Sequence, residues 1–213
     1  QTIGNYDTIA KKLDDYNVDY DVFASSYYPN IHGSMENITK VLKKIADTYN
    51  KKVMVAETDW AWTTSDGDGH ENTFSAGNDP DYSVSVQGEA NEIRDVIEAV
   101  HNVGESALGV FVWEPAWIPV ANVNKSDGTV DSALVTSNKA AWEEHGSGWA
   151  SSYSNEYDPE HGGKYYGGSV KDNNGFFDFD GNPLEVLTIF KDVYTGKIGG
   201  TPQVDVVKQA RID

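Results

Sequence analysis

Hydrophobic and polar positions in the first half of the chain predict helices that alternate with short apolar strands. Apolar residues recur at helical spacing among polar ones in residues 5–16, 35–49 and 87–103. Continuous apolar runs, the pattern of strands covered on both faces, occupy the centres of residues 19–26, 52–57 and 107–112. This repetition of helix and strand is typical of a parallel β/α architecture, either a barrel or a doubly wound sheet.

Long polar segments follow the second and third predicted strands. Residues 63–83 are rich in glycine and too long for a plain connector, so we expect them to carry function. Residues 116–182 show no periodicity, which predicts a long ordered loop or an irregular subdomain over an active-site face. Residues 183–194 predict a short closing helix, and residues 196–202 a stop and a linker before a tail.

Charge and composition exclude some classes of partner. Acidic residues outnumber basic ones by 34 to 16, for a net charge of -18. Nucleic acids and anionic membrane surfaces need clustered Lys and Arg, so neither is an expected partner. The chain has no cysteine and therefore no disulfide or thiolate chemistry. It also has no apolar run near the roughly 20 residues of a membrane span.

Glu57 is the candidate for chemistry, because it directly follows the central apolar run. Barrel enzymes keep catalytic residues at the carboxyl ends of strands, and aromatic side chains there offer flat surfaces to sugar rings. Aromatic residues close all three predicted strands, namely Tyr27, Tyr28, Trp60, Trp62, Trp113 and Trp117. The alternatives are a solvent-facing acid and aromatics that pack in the core. Sugar hydrolysis with retention would also require a second carboxylate about 5 Å from the first.

A second candidate site is the run Asp66-Gly67-Asp68-Gly69-His70-Glu71-Asn72. Alternating oxygen ligands separated by glycines allow a loop to curl around a hard cation such as calcium. The run lacks the closing Glu of an EF-hand loop, so the pattern alone favours a solvated acidic turn. Residues 169–173 alone indicate an ordinary polar turn, and the scattered histidines form no zinc-type pair.

Several stretches taken together resemble one enzyme family. They are residues 19–29 (DYDVFASSYYP), 52–58 (KVMVAET), 66–70 (DGDGH), 146–150 (GSGWA) and 177–184 (FDFDGNPL). In this order they resemble the arabinogalactan endo-β-1,4-galactanases of glycoside hydrolase family 53. The resemblance covers about residues 5–197.

The resemblance implies an α/β fold, specifically the C-terminal part of a (β/α)8 TIM barrel, with long loops after strands seven and eight. Residues 1–198 would form strands six to eight and their helices, and residues 199–213 a linker or tail. Glu57 matches the nucleophile at the end of strand seven. The acid/base Glu at the end of strand four has no counterpart here. We therefore expect either a fragment or a second polypeptide that supplies the missing N-terminal half, and an inactive chain without it.

The resemblance also implies site residues and a metal. A structural calcium ion would join the loops after strands seven and eight, and its ligands would be Asp66, Asp68, His70, Asn72, Ser169 and Asp172. Trp149 matches a tryptophan that stacks on distant galactose units, and Trp113 one beneath the sugar undergoing cleavage. Tyr27 or Tyr28 would hydrogen-bond Glu57. Including the strand-end aromatics, the expected substrate contacts are Tyr27, Tyr28, Trp60, Trp113, Trp117 and Trp149.

The function implied is endo-acting hydrolysis of β-1,4-galactan, the backbone of type I arabinogalactan, with retention of configuration. Such an enzyme would be secreted or displayed at the surface of a bacterial cell. Two alternatives remain open at this point. The protein is a glycosidase of the same clan that acts on another β-linked polysaccharide, or a non-catalytic galactan-binding fragment.

Overall fold

The computed structural model describes residues 3–74, 81–120, 129–145, 152–160, 168–198 and 201–202 of the 213-residue chain. In chain order, the longer elements are α1 (Ile3–Asp15), β1 (Val22–Ser26), α2 (Pro29–His32), α3 (Met35–Tyr49), β2 (Lys52–Glu57), α4 (Val86–His101), β3 (Ala107–Val110), α5 (Ser132–His145) and α6 (Ile189–Thr195). Short 3-10 helices cover Ser152–Glu156, Asp172–Asn174 and Glu185–Thr188. No described helix is long and apolar enough to cross a membrane.

Strands β1, β2 and β3 form a parallel sheet in that order. Phe23 pairs with Val53, and Val53 pairs in turn with Ala107. The register shifts after Ser25, so that Ser26 lies opposite Glu57 at the carboxyl end of the sheet. This irregularity brings the last side chains of β1 and β2 together.

One face of the sheet is covered by helices α1, α3 and α4. The apolar faces of the helices and alternate strand residues form one core, which includes Phe23, Leu42, Ile45, Val53, Val55, Val96 and Val100. Ser34 and Ser85 cap α3 and α4, because their side chains accept hydrogen bonds from the backbone N–H groups of Asn37 and Gly88. Amphipathic periodicity and serine caps explain where these two helices lie.

The opposite face of the sheet is open, so the prediction of strands buried on both faces is wrong for the described residues. Val22 and Ala24 are exposed and Met54 is half-buried. Phe111, just beyond β3, is 63% exposed. The apolar runs of the sequence therefore include a face that no described part of the chain covers.

Other elements differ from the sequence-based expectations at their ends. Helix α1 begins at Ile3, so Asn5 lies inside the helix rather than capping it. The segment expected to be irregular contains the 14-residue helix α5, none of whose residues is buried. Residues 197–198 pair antiparallel with residues 201–202, within the region expected to be a stop and linker. The rest of the expected tail, residues 203–213, lies outside the described residues.

Candidate active site

Glu57 ends β2 and is held by two hydroxyl groups from the end of β1. Ser26 Oγ and the Tyr28 hydroxyl donate hydrogen bonds to the same carboxylate oxygen, Oε2, over 2.9 and 3.0 Å. The Tyr27 backbone N–H donates to the Glu57 carbonyl oxygen over 2.8 Å, which joins the two strand ends. Within the described chain, no group donates a hydrogen bond to Oε1. One carboxylate oxygen is thus held by two donors, and the other has no donor among the described residues.

Tyr28 connects Glu57 to a charged pair behind it. The Lys171 ammonium lies 4.3 Å from the centroid of the Tyr28 ring and donates to both carboxylate oxygens of Asp59, over 2.9 and 2.7 Å. Burial of the Tyr28 hydroxyl, and then the negative charges of Asp59 and Glu57, raise the pKa of Tyr28 far above its usual range. Tyr28 therefore keeps its proton and serves Glu57 as a hydrogen-bond donor.

The neighbouring Tyr27 has a different role from the expected one. Its side chain is 1% exposed, and its hydroxyl donates to the Gly33 carbonyl oxygen over 2.6 Å. A side chain so deeply buried does not contact a substrate, contrary to the expectation. Of the two tyrosines considered as the partner of Glu57, Tyr28 is the one whose hydroxyl reaches its carboxylate.

Trp60 also departs from the expectation of a substrate contact. It is completely buried against Phe74 and Tyr82, and its indole Nε1 donates to the Ser83 carbonyl oxygen over 2.9 Å. The aromatic cluster anchors the start of the long loop after β2 to the segment before α4. Trp60 therefore has a packing role, and no face of its ring is free for a sugar.

Trp113 has the exposure that a sugar platform needs, since 40% of its surface is accessible. Its backbone N–H donates to the Thr58 carbonyl oxygen over 2.8 Å, which places it beside the end of β2. Trp117 is half-buried, and its indole Nε1 has no hydrogen-bond partner within the described chain. The expected contact residue Trp149 lies outside the described residues. The roles of all three in substrate binding remain predictions.

A second group of side chains joins two distant loops, which we call the clasp (residues 66–72 and 169–172). Carboxylate oxygens of Asp66, Asp68 and Asp172 lie within 4.8 Å of one another. Asp68 Oδ2 accepts a hydrogen bond from the Ser169 backbone N–H over 2.8 Å. Asn72 Nδ2 donates to Asp172 Oδ1 over 2.6 Å. The sequence pattern placed these residues in two separate turns, whereas the structure brings them together.

The electrostatics of the clasp fit a bound cation. Burial, followed by repulsion from Asp172 and Asp66, raises the pKa of Asp68 to about 8. Burial is likewise the main cause that raises the pKa of Asp172 to about 6. The buried Oδ1 of Asn72 has no hydrogen-bond partner among the described residues. Three crowded carboxylates and an unsatisfied amide oxygen are the ligands that a hard cation prefers.

Two further carboxyl groups are buried in α4, behind the end of β2. Glu92 is fully buried and accepts a hydrogen bond from the hydroxyl of Thr58, the residue after Glu57, over 2.6 Å. The buried Glu89 carboxylate has no hydrogen-bond partner in the described part of the chain. Burial is the largest cause that raises the pKa of both carboxyls well above 4.5, and nearby acids add to it.

This burial predicts a pH dependence of stability. The pKa of Glu92 is higher in the folded chain than its ordinary value of 4.5. The contribution of Glu92 to the free energy of unfolding is therefore fully present below about pH 4.5, and it is lost as the pH rises through the pKa of the folded state. Glu92→Gln removes the ionisable group but retains an acceptor for Thr58. We expect its melting temperature to exceed that of the parent by a few degrees at about pH 8, and to equal it at about pH 4.

Differential scanning calorimetry across this pH range provides the measurement. Glu98→Gln, on the same helix but not fully buried, is the matched control and should follow the parent at each pH. Parallel pH profiles for the parent and Glu92→Gln would show that the Glu92 carboxyl does not titrate abnormally.

Three residues of the site were not identified as candidates from the sequence, namely Ser26, Asp59 and Lys171. Ser26 ends β1 opposite Glu57, and Asp59 follows Glu57 by two positions. Their positions at strand ends were a usable signal, because side chains there meet at one edge of a parallel sheet. No local pattern indicated Lys171 as a site residue, because it is separated from Asp59 by 112 positions.

Comparison with known proteins identifies relatives along most of the chain. The sequence model described as Glycosyl hydrolase family 53 matches residues 1–190. An endo-β-1,4-galactanase of Bacillus subtilis (strain 168) is 53% identical over 199 residues, which cover 93% of this chain and 44% of that protein. An arabinogalactan endo-β-1,4-galactanase of Cellvibrio japonicus is 31% identical over 103 residues, covering 47% and 27%.

A solved structure agrees with these sequence matches. The Ignisphaera aggregans GH53 catalytic domain superposes with a TM-score of 0.62 at 31% identity, covering 87% of this chain and 42% of that one. The chain thus spans less than half the length of each of these three relatives. The family match includes Glu57 and both segments of the clasp. The chain belongs to glycosyl hydrolase family 53.

Proposed function

We propose that this chain supplies the nucleophile to an endo-acting enzyme that hydrolyses β-1,4-galactan, as found in type I arabinogalactan, with retention of configuration. The observation that carries the proposal is the geometry of Glu57. It lies at the carboxyl end of a parallel strand, and two hydroxyl groups hold Oε2 while Oε1 remains unheld. In β/α barrels, that end of the strands carries the active site. The names of the relatives support galactan as the substrate.

In the proposed reaction, Glu57 Oε1 attacks the anomeric carbon of a galactosyl unit as the glycosidic C–O bond breaks. A general acid outside this chain protonates the departing oxygen. Water, deprotonated by the same group, then attacks the anomeric carbon of the covalent intermediate and releases the sugar with its original configuration. Ser26 and Tyr28 keep the Glu57 carboxylate oriented, and Trp113 offers its exposed face to the sugar ring.

We place β1, β2 and β3 as strands six, seven and eight of a (β/α)8 barrel. The uncovered face of the sheet supports this arrangement, because exposed Val22, Ala24 and Phe111 would then face the interior of the barrel. The acid/base Glu would belong to the part of the barrel that lies outside this chain. Since the polymeric substrate is too large to enter cells, the proposed enzyme acts outside them or at their surface.

We further propose that calcium binds at the clasp, with ligands from Asp66, Asp68, His70, Asn72, Ser169 and Asp172. The convergence of carboxylates and the unsatisfied Asn72 Oδ1 support it. When bound, the ion would neutralise clustered negative charge and join the loops after β2 and β3. This role is structural, and no step of the reaction needs it.

A polysaccharide panel tests the proposed function. The enzyme for this test is a complete barrel, made by joining the chain to the five missing strands from the Bacillus subtilis relative. We expect it to release reducing sugar from galactan far faster than from xylan, mannan or cellulose. The unaided chain should show no turnover, since general acid catalysis alone contributes roughly 10²- to 10⁴-fold.

The outcomes separate the alternatives. Preference for another β-linked polymer would identify a different glycosidase of the same clan. Retarded migration of the complete barrel in galactan gels, without product release, would identify a binding protein. Measurable turnover by the unaided chain would contradict the assignment of the acid/base to another part of the barrel.

A further inference from the structure

Lys171 is the one cation that the structure places against the hydrogen-bonded partners of Glu57 within the described residues. Its ammonium donates to both oxygens of the Asp59 carboxylate and lies over the Tyr28 ring. The Asp59 side chain is 1% exposed, and that of Lys171 is 21% exposed. A bidentate pair at this depth fixes the ammonium far more firmly than a surface ion pair would.

Tyr28 contacts both Lys171 and Glu57, so it connects the cation to the carboxylate. The face of its ring meets Lys171, and its hydroxyl donates to Glu57 Oε2 over 3.0 Å. A cation over an aromatic face is attracted to the ring and withdraws electron density from it, which makes the phenol a stronger donor. The negative charges of Asp59, Glu57 and Glu114 act on Tyr28, and the positive charge of Lys171 counteracts those of Asp59 and Glu114.

We propose that Lys171, anchored by Asp59, is a positioning residue that acts through Tyr28 to aim the Glu57 carboxylate at the anomeric carbon. This inference rests on the proposed function of Glu57 as nucleophile. Lys171 itself does not touch the reacting atoms. Its effect falls on the first chemical step, in which Glu57 Oε1 bonds to carbon and the leaving group departs.

Three variants of the complete barrel distinguish a positioning role of Lys171 from a purely structural one. Lys171→Met keeps the length of the side chain but removes the charge, which leaves the buried Asp59 carboxylate uncompensated and destabilises the protein. The double variant Asp59→Asn/Lys171→Met removes both charges and should recover the melting temperature. Lys171→Arg retains a cation that binds carboxylates and stacks on rings.

The diagnostic measurement is the rate at which a fluorinated galactosyl donor with a dinitrophenolate leaving group labels Glu57. This group departs with its bonding electrons and needs no protonation, so labelling reports attack by Glu57 alone. We expect labelling and kcat for galactan to fall roughly 10- to 100-fold in both Lys171→Met and the double variant, with little change in KM. Lys171→Arg should restore most of the rate.

Controls make the result decisive. Lys44→Met removes the exposed ion pair with Asp7 and should change neither labelling nor turnover. Normal labelling in the double variant would reject the positioning role, provided that Glu57→Gln in the same barrel is inactive. If Glu57→Gln remains active, the proposed nucleophile is wrong instead, so the two failures are distinguishable.

Discussion

Glu57→Gln in the complete barrel is expected to lower kcat for galactan by about 10⁴-fold or more, as removal of an enzymatic nucleophile generally does. The amide oxygen still accepts hydrogen bonds from Ser26 and Tyr28, so the melting temperature should change little. Initial rates of reducing-sugar release and a thermal melt give both quantities. Glu36→Gln, an exposed acid on α3, is the control and should retain full activity.

A second variant tests whether Glu57 acts covalently rather than as a base. Glu57→Ala opens space beside the anomeric carbon, and added azide can attack an activated aryl β-galactoside there. Because one displacement replaces two, the product should be the galactosyl azide of inverted, α configuration. Near-normal hydrolysis by Glu57→Gln, or no effect of azide on Glu57→Ala, would reject Glu57 as the nucleophile.

Calcium is expected to produce the second large effect, on stability rather than on chemistry. At about 100 times its dissociation constant, a ligand that binds the folded state alone adds about 2.7 kcal/mol. For a chain of this size, that corresponds to a rise of roughly 5 to 10 °C in melting temperature. Calorimetry after chelator treatment, with and without added calcium, measures the difference.

The ligands of the clasp supply the matched variants. Asp68→Asn removes a buried carboxylate that accepts two backbone hydrogen bonds and lies beside the carboxylates of Asp66 and Asp172, and it should abolish most of the calcium-dependent rise. Asp178→Asn alters an exposed acid that hydrogen-bonds Asn182 and should retain the whole rise. An unchanged melting temperature of the parent on calcium removal would count against the metal site.

The sequence predicted the elements whose local pattern determines their structure. Helix α3 has the predicted bounds, because an apolar stripe and a serine cap both act within a few residues. Helix α5 was missed since none of its residues is buried, and such a helix leaves no apolar stripe in the sequence. The apolar strands were recognised, but burial on both faces depends on neighbours that a local pattern does not specify.

Site residues with a local sequence pattern could likewise be predicted, whereas those that depend on distant neighbours could not. Glu57 and the run 66–72 became candidates from their local patterns, and the family resemblance joined that run to Ser169 and Asp172 as one expected metal site. Burial of Tyr27 and Trp60 was not predicted, because an aromatic residue at a strand end gives the same pattern whether it faces a substrate or the core. The pairing of Lys171 with Asp59 depends on how two distant loops meet, which no spacing along the chain encodes.

The clasp encloses a long stretch of the polypeptide. Its hydrogen bond between Asn72 and Asp172 joins residues 100 positions apart, and α4, β3 and α5 all lie between them. A closed contact of this kind works like a reversible cross-link, because it removes the entropy that the enclosed stretch would gain by moving independently. Opening it would release both loops together, so the surroundings of Glu57 should lose their order as one cooperative unit.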